Sequence, residues 1–180
     1  GAADQDPPLI EAVKRQDTEA VNRLLASGTD PNVRQSDGAT ALHWAVHRED
    51  TEIVTSLIEV GADVDAVNRL GASALFLAAQ GGNASMLLRL LGSGADPNLA
   101  LPLGETPIMT AARSGTVQGV RHLIQAGADV NLSERSRGQT ALMWAAGYDQ
   151  ADAVRLLLAK GARPELRDNR GKTARDSTRY

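Results

Sequence analysis

The 180-residue chain is predicted to be an all-α solenoid of stacked helix-turn-helix units. Three observations lead there. Thr40-Ala41-Leu42-His43 returns as Ser73-Ala74-Leu75-Phe76, then as Thr106-Pro107-Ile108-Met109, then as Thr140-Ala141-Leu142-Met143. The glycine ahead of each copy moves from Gly38 to Gly71, Gly104, Gly138 and Gly171, in steps of 33, 33, 34 and 33 residues (71−38, 104−71, 138−104, 171−138). Each period also closes on a glycine stop, as in Gly61-Ala62-Asp63, Gly94-Ala95-Asp96 and Gly127-Ala128-Asp129. A fixed period near 33 is the mark of a repeat whose units touch only their neighbours.

The first unit, 4–34, opens with Pro7-Pro8-Leu9-Ile10, because proline is tolerated in a helix's first turn. Leu9, Ala12 and Val13 keep helical spacing, Thr18 starts a second helix, and Gly28 stops it. This unit reads as an N-terminal cap with Gln5, Glu11, Arg15 and Asn22 on its wetter side. In 35–67, Leu42 points inward, Ala45 allows close helix approach, and Ile53, Val54, Leu57 and Ile58 form an apolar face. The unit 68–100 repeats this with Leu75, Leu77-Ala78-Ala79, Met86-Leu87-Leu88 and Leu90-Leu91. The unit 101–134 opens unusually on Leu101-Pro102-Leu103, and 135–167 begins with one extra residue before Gly138. The last stretch, 168–180, starts a sixth unit whose helix is polar, so it reads as a C-terminal cap or as the start of a longer array. No linker interrupts the series, and 1–180 reads as one repeat domain.

The period, the Thr-Ala-Leu-His-like cores and the Gly-Ala-Asp stops resemble the ankyrin repeat across almost the whole chain. That resemblance implies hairpin-like fingers between the helix pairs. It also implies a concave binding face made of fingertips and variable inner-helix positions. His43, in the Thr40-Ala41-Leu42-His43 core, is then assigned to turn hydrogen bonding rather than catalysis.

Composition narrows the function classes. Aromatic residues make up 3% of the chain, so alanine, leucine and valine must fill thin, closely packed helices. A net charge of −3 gives no overall pull towards nucleic acid, and no nucleic-acid partner is expected. There is no cysteine, which excludes disulfides and thiolate metal sites. No apolar run approaches the roughly 18 residues of a membrane span, so no membrane partner is expected. The opening Gly1-Ala2-Ala3-Asp4 fits a cloning scar at Gly1, or residues left after a small-residue export cleavage. Localisation is therefore open between cytoplasmic and exported or periplasmic. Sixteen of the 19 basic residues are arginine (19−3), which together with abundant alanine looks like a GC-rich bacterial gene.

No catalytic, metal or cofactor constellation emerges. His43, His47 and His122 are too scattered for a metal site, and His122 reads as solvated. Gly171-Lys172-Thr173 lacks the glycine five residues earlier that a phosphate-binding loop needs, since Leu166 stands there. Asp30, Asp63, Asp65, Asp96 and Asp129 recur at turns, where they cap backbone rather than act as acid and base. Asn83-Ala84-Ser85 and Asn131-Leu132-Ser133 match glycosylation acceptors but fall on framework positions, so chance accounts for them. Trp44 and Trp144 share one repeat position and fit either core packing or an aromatic rim on the groove.

The candidate contact residues form two sets. His47, Arg48, Gln80, Arg113 and Tyr148 occupy the variable inner-helix row, with Gly81 and Ser114 completing it. Arg34, Arg69, Arg135, Arg137, Arg167 and Arg170 fall at fingertips, a basic edge suited to an acidic protein segment, unless Asp37, Glu134 and Asp168 merely interleave with them as solvated charge. Leu99-Ala100-Leu101-Pro102-Leu103 makes the middle finger apolar at its tip, which marks an interaction spot or a fold-back onto a neighbouring finger, and Leu70 is a further candidate contact. Leu101, Leu103 and Tyr148 are expected as anchors, each worth on the order of 1–2 kcal/mol if a hot spot, with Arg69, Arg113, Arg135 and Arg137 setting register.

The reading is a non-enzymatic protein-interaction module, a scaffold, adaptor or inhibitor, working as a monomer without a cofactor. The alternative is a small-ligand or anion-binding accessory of an exported bacterial system, favoured by a pocket in the Trp44–Trp144 groove. A designed binder is a third reading, opposed by the variation of His43, Phe76, Met109 and Met143 at one framework position.

Overall fold

The structure is a computed structural model that describes residues 5–178. The expectations attached to Gly1-Ala2-Ala3-Asp4, and the last two residues of the C-terminal unit, lie outside the described residues. Among the described residues ten α-helices run in pairs: α1 (Pro8–Lys14) with α2 (Thr18–Ala26), α3 (Ala41–His47) with α4 (Thr51–Glu59), α5 (Ala74–Gln80) with α6 (Ala84–Gly92), α7 (Pro107–Ser114) with α8 (Val117–Gln125), and α9 (Ala141–Gly147) with α10 (Ala151–Ala159). The fold is the all-α solenoid expected of the sequence. No strand occurs among the described residues, and single antiparallel bridges Arg34–Thr40, Val67–Ser73 and Ser133–Thr140 pinch three of the fingers.

Helices of seven to nine residues do not hold alone in water, where about 12–15 residues are the practical minimum. Packing supplies the stability. The first helices stack in series from α1 through α3, α5 and α7 to α9, and the second helices form a parallel layer behind them. Ala41, Ala45, Ala78, Ala79, Ala111, Ala112, Ala145 and Ala146 are buried where the first helices approach each other. Leu42, Leu57, Leu75, Leu87, Leu90, Ile108 and Leu123 fill the space between the layers.

Five helix starts, those of α2, α4, α5, α6 and α9, are capped by a side chain of the repeat sequence. Asp17, Asp50 and Asn83 accept the backbone N–H of Ala20, Ile53 and Met86 at 2.9, 3.1 and 2.9 Å. Ser73 and Thr140 do the same for Phe76 and Met143. His43 takes a further role. Its Nδ1 accepts the Thr40 backbone N–H at 3.1 Å, so Nε2 carries the proton and donates to the Ala72 carbonyl at 2.9 Å. The imidazole thereby joins one repeat to the next, which is the structural role expected of it.

A second ladder runs along the turns after the outer helices. Asn32, Asp65, Asn98 and Asn131 accept the N–H of Asp63, Asp96, Asp129 and Arg163 in the following repeat, at 2.7, 2.9, 2.8 and 2.9 Å. The three asparagines also donate back, to the carbonyls of Gly61, Gly127 and Gly161. The Asp65 side chain has no N–H with which to do so. Asp30, Asp63, Asp96 and Asp129 each fold their own turn by accepting the N–H two residues on.

The C-terminal unit departs from expectation. Its polar stretch forms only a 3-10 turn, Arg175–Ser177, packed on α9. Thr173 donates its N–H and hydroxyl to Asp176 at 2.8 and 2.9 Å, closing the turn over buried Ala174.

Candidate binding face

The fingers line one edge of the first-helix layer, and they are joined by backbone bonds. Arg69 N–H donates to the Asp37 carbonyl at 2.8 Å, Arg135 to Leu103 at 2.7 Å, and Asn169 to Arg137 at 2.8 Å. The equivalent residue on the remaining finger is Pro102, which has no N–H to give. Pro102 instead lies against Gly71, close enough that a Cβ there would sit 2.6 Å from its Cδ. Beside this junction Leu70 and Leu103 are exposed by 76% and 61%, at the same position of adjacent fingertips. Leu101 is half-buried, and its backbone closes its own finger through bonds to Gly104 and Glu105.

The fingertip arginines divide into two kinds. Arg34 donates to the carbonyls of Gly38 and Val67 at 3.0 and 2.7 Å, and Arg167 to that of Gly171. Arg69 reaches the Ser36 carbonyl on the neighbouring finger. Arg34 and Arg69 thereby stitch neighbouring fingers together, and Arg167 closes its own. Arg135, Arg137 and Arg170 are exposed and form no side-chain bond or ion pair among the described residues. Asp37 and Asp168 are turn-builders rather than free surface charge, accepting N–H groups from Ala39 and from Arg170 and Lys172.

Glu134 corrects the expectation of a solvated charge most sharply, because it is buried. The extra residue before Gly138 opens this finger by one position, and the longer acid spans the gap. Its carboxylate accepts the N–H groups of Ser136, Arg137 and Gln139, and the Ser136 hydroxyl. Burial pushes its pKa up, and these hydrogen bonds outweigh that, leaving it below the ordinary glutamate value.

The inner-helix row divides by accessibility. His47, Arg48, Gln80 and Tyr148 are exposed, and Arg113 is half-buried. His47 sits edge-on to Trp44 at 5.7 Å and, with Gln80, lines a groove of about 250 Å³ between α3 and α5. The two tryptophans are half-buried, each packed on the core beneath and covered by a cation. Lys14 lies 4.6 Å from the Trp44 ring centre, and Arg113 lies 5.0 Å from that of Trp144. The Trp44 indole donates to Gln35 at 2.9 Å, whereas the Trp144 N–H is buried without an acceptor. His122 is half-buried rather than solvated, and its Nδ1 also lacks a partner.

Around Trp144 opens the larger cavity, about 550 Å³, lined also by Leu103, Glu105, Arg113, Arg137, Tyr148, Arg170 and Lys172. Sequence reasoning named Leu103, Arg113, Arg137 and Tyr148 as contacts. It did not assemble them with Glu105, Gln139 and Lys172, for which spacing along the chain carries no signal. The expected set does not form one patch. His47, Arg48 and Gln80 lie at one end of the row and the Trp144 cavity at the other, with the exposed leucines on the fingertips between. Among the described residues no group of histidines and carboxylates could hold a metal ion, and no helix is long and apolar enough to cross a membrane.

Comparison with known proteins agrees with this architecture. The family described as ankyrin repeats (three copies) matches residues 9–100 and again 75–168. A crystal structure of EF0377, an ankyrin repeat protein, superposes with a TM-score of 0.89 at 30% identity, over 96% of this chain and 90% of that one. In all, 584 solved chains match, so the shared fold by itself does not single out a partner. No curated protein matches. With repeat period, helix pairing, finger hydrogen bonds and family match in agreement, the chain belongs to the ankyrin-repeat family.

Proposed function

We propose that this protein binds another protein through its fingertips and the inner-helix row, as a scaffold, adaptor or inhibitor. Ankyrin repeats generally serve as protein-interaction modules, and the family is typically non-enzymatic. The observation that carries the finer reading is the pair Leu70 and Leu103, exposed on adjacent fingertips and flanked by Arg69, Arg135 and Arg137. Two exposed leucines beside a proline junction offer apolar area on a rigid support. Arg135 and Arg137, the two of these arginines that hold no backbone carbonyl, suit an acidic segment of the partner. Under this reading 1–180 acts as one monomeric repeat domain. Units 35–67, 68–100, 101–134 and 135–167 lie between an N-terminal cap, 4–34, and a C-terminal cap, 168–180.

The test is affinity capture from the source organism with wild-type bait and with Leu70→Asp, Leu103→Asp bait, folding being checked by circular dichroism. A protein retained by the first and lost by the second supports the reading. Equal retention by both baits moves the site away from the fingertips. The cavity beside Trp144 favours a second reading, a binding site for a small anion. That reading expects the captured protein, if any, to be indifferent to the leucines.

A further inference from the structure

The cavity beside Trp144 has an imbalance, because its acids are engaged within the chain and its cations are not. Four carboxylates reach it, and each is engaged by its own chain. Glu134, Asp168 and Asp176 accept the finger and turn donors described above, and Glu105 accepts the Thr110 hydroxyl at 2.9 Å. The four cations there, Arg113, Arg137, Arg170 and Lys172, form no ion pair among the described residues. The Trp144 indole N–H adds a buried donor without an acceptor.

The imbalance has a sequence origin. Trp44 gives its N–H to Gln35, whose backbone closes its finger by bonding to Ala39. The residue that closes the corresponding finger by bonding to Gln139 is Glu134. Because that finger is one residue longer, both Glu134 oxygens turn inward to hold it, and none is left for Trp144. Unpaired donors in a partly desolvated site favour an acceptor brought by a ligand, most strongly a charged one. Arg113 is best placed to meet it, half-buried and stacked over the Trp144 ring.

We propose that this cavity takes the carboxylate of an aspartate or glutamate side chain from the protein partner. Arg113 grips the carboxylate, and Arg137, Arg170 and Lys172 surround it. The inference rests on the protein-binding reading, and it adds the chemistry that one end of the face recognises. Leu103 connects the two, since it belongs to the fingertip patch and also lines the cavity. A segment whose apolar residues lie on Leu70 and Leu103 therefore brings its neighbouring residues to Arg113.

Random peptides displayed on phage are selected on the folded protein, and the strongest binder is synthesised with each acid intact or as its amide. Binding is followed by NMR, using the Trp144 indole resonance assigned with a Trp44→Phe variant. The selected peptides are expected to share an Asp or Glu whose amide form binds at least about tenfold more weakly. Arg113→Gln should impose a similar loss on the acidic peptide and little on the amide. The Arg170→Gln, Lys172→Gln variant, altered only at exposed positions, should weaken the acidic peptide in the same sense. The indole resonance should shift on binding.

Peptides that bind without an acid, or with an acid indifferent to these cations, overturn the carboxylate site and leave the protein-binding reading standing. Displacement by N-acetylglutamate at the peptide's own affinity makes the site one for a small free anion and overturns the proposal. Selection of no peptide at all sinks it together with peptide recognition by this face.

Discussion

His43 occupies a slot that the other copies fill with Phe76, Met109 and Met143, and from it the imidazole ties two repeats together. Burial depresses its pKa below the ordinary 6.5, because desolvation disfavours the charged ring, and the Arg34 guanidinium acts in the same sense. The unfolded chain therefore binds that proton more readily than the folded one. The contribution of His43 is complete above pH 6.5 and is lost as pH falls from there through the folded pKa. Urea unfolding at neutral and at mildly acidic pH should show this loss, and His43→Phe should remove it. The same variant should cost about 1–3 kcal/mol at neutral pH by leaving the Thr40 N–H and the Ala72 carbonyl unpaired. Asp65 is the opposite case, a residue weaker than its counterparts Asn32, Asn98 and Asn131. Asp65→Asn should stabilise by about 1 kcal/mol, through a new bond to the Gly94 carbonyl, read as a higher denaturation midpoint. Both positions were visible in the sequence as members of a repeat. Their partners were not, since each lies on the next repeat, 29 residues on for the Ala72 carbonyl and 31 for the Asp96 N–H.

At the scale of the finger, one inserted residue and one proline account for most of the departures from regularity. Glu134→Gln keeps the shape but turns an amide N–H towards donors, and should cost about 1–3 kcal/mol in chemical denaturation. With its pKa held below the ordinary 4.5, Glu134 stabilises the fold above that value. This support fades as pH falls through the folded pKa, and the variant should lack that acid-side dependence. The Pro102 junction makes a separate claim. Gly61 and Gly71 both have positive φ, at 93° and 81°, but only at Gly71 would a Cβ collide, with Pro102. Gly61→Ala should therefore cost only backbone strain of about 1–2 kcal/mol, and Gly71→Ala measurably more, by the same denaturation assay. The insertion was legible as a step of 34 residues. That it would bury Glu134 and deprive Trp144 of an acceptor was not, because the result depends on how the longer finger closes in space.

Over the full array, stability should be shared between neighbours rather than stored in any one unit, because each short helix is held by the repeats on either side. Thr173→Ala with Asp176→Ala opens the terminal turn that packs on α9. Hydrogen exchange should then speed up in α9 and α10 while α3 and α5 keep their protection. Loss of protection throughout would mean that the array unfolds as a single unit. The sequence alone carried the fold class and the helix pairs. These depend on local spacing and on contacts that recur with the repeat period, and a period is written directly in residue order. Which arginines are free, which acids are consumed and where the cavity opens depended on contacts that differ between repeats. Arg34, Arg69 and Arg167 look like Arg135, Arg137 and Arg170 in the sequence, yet the first three hold backbone carbonyls and the others face solvent. Only the stacking of fingers in three dimensions separates them, because a side chain's partner is set by what lies within a few ångströms and not by its place in the repeat.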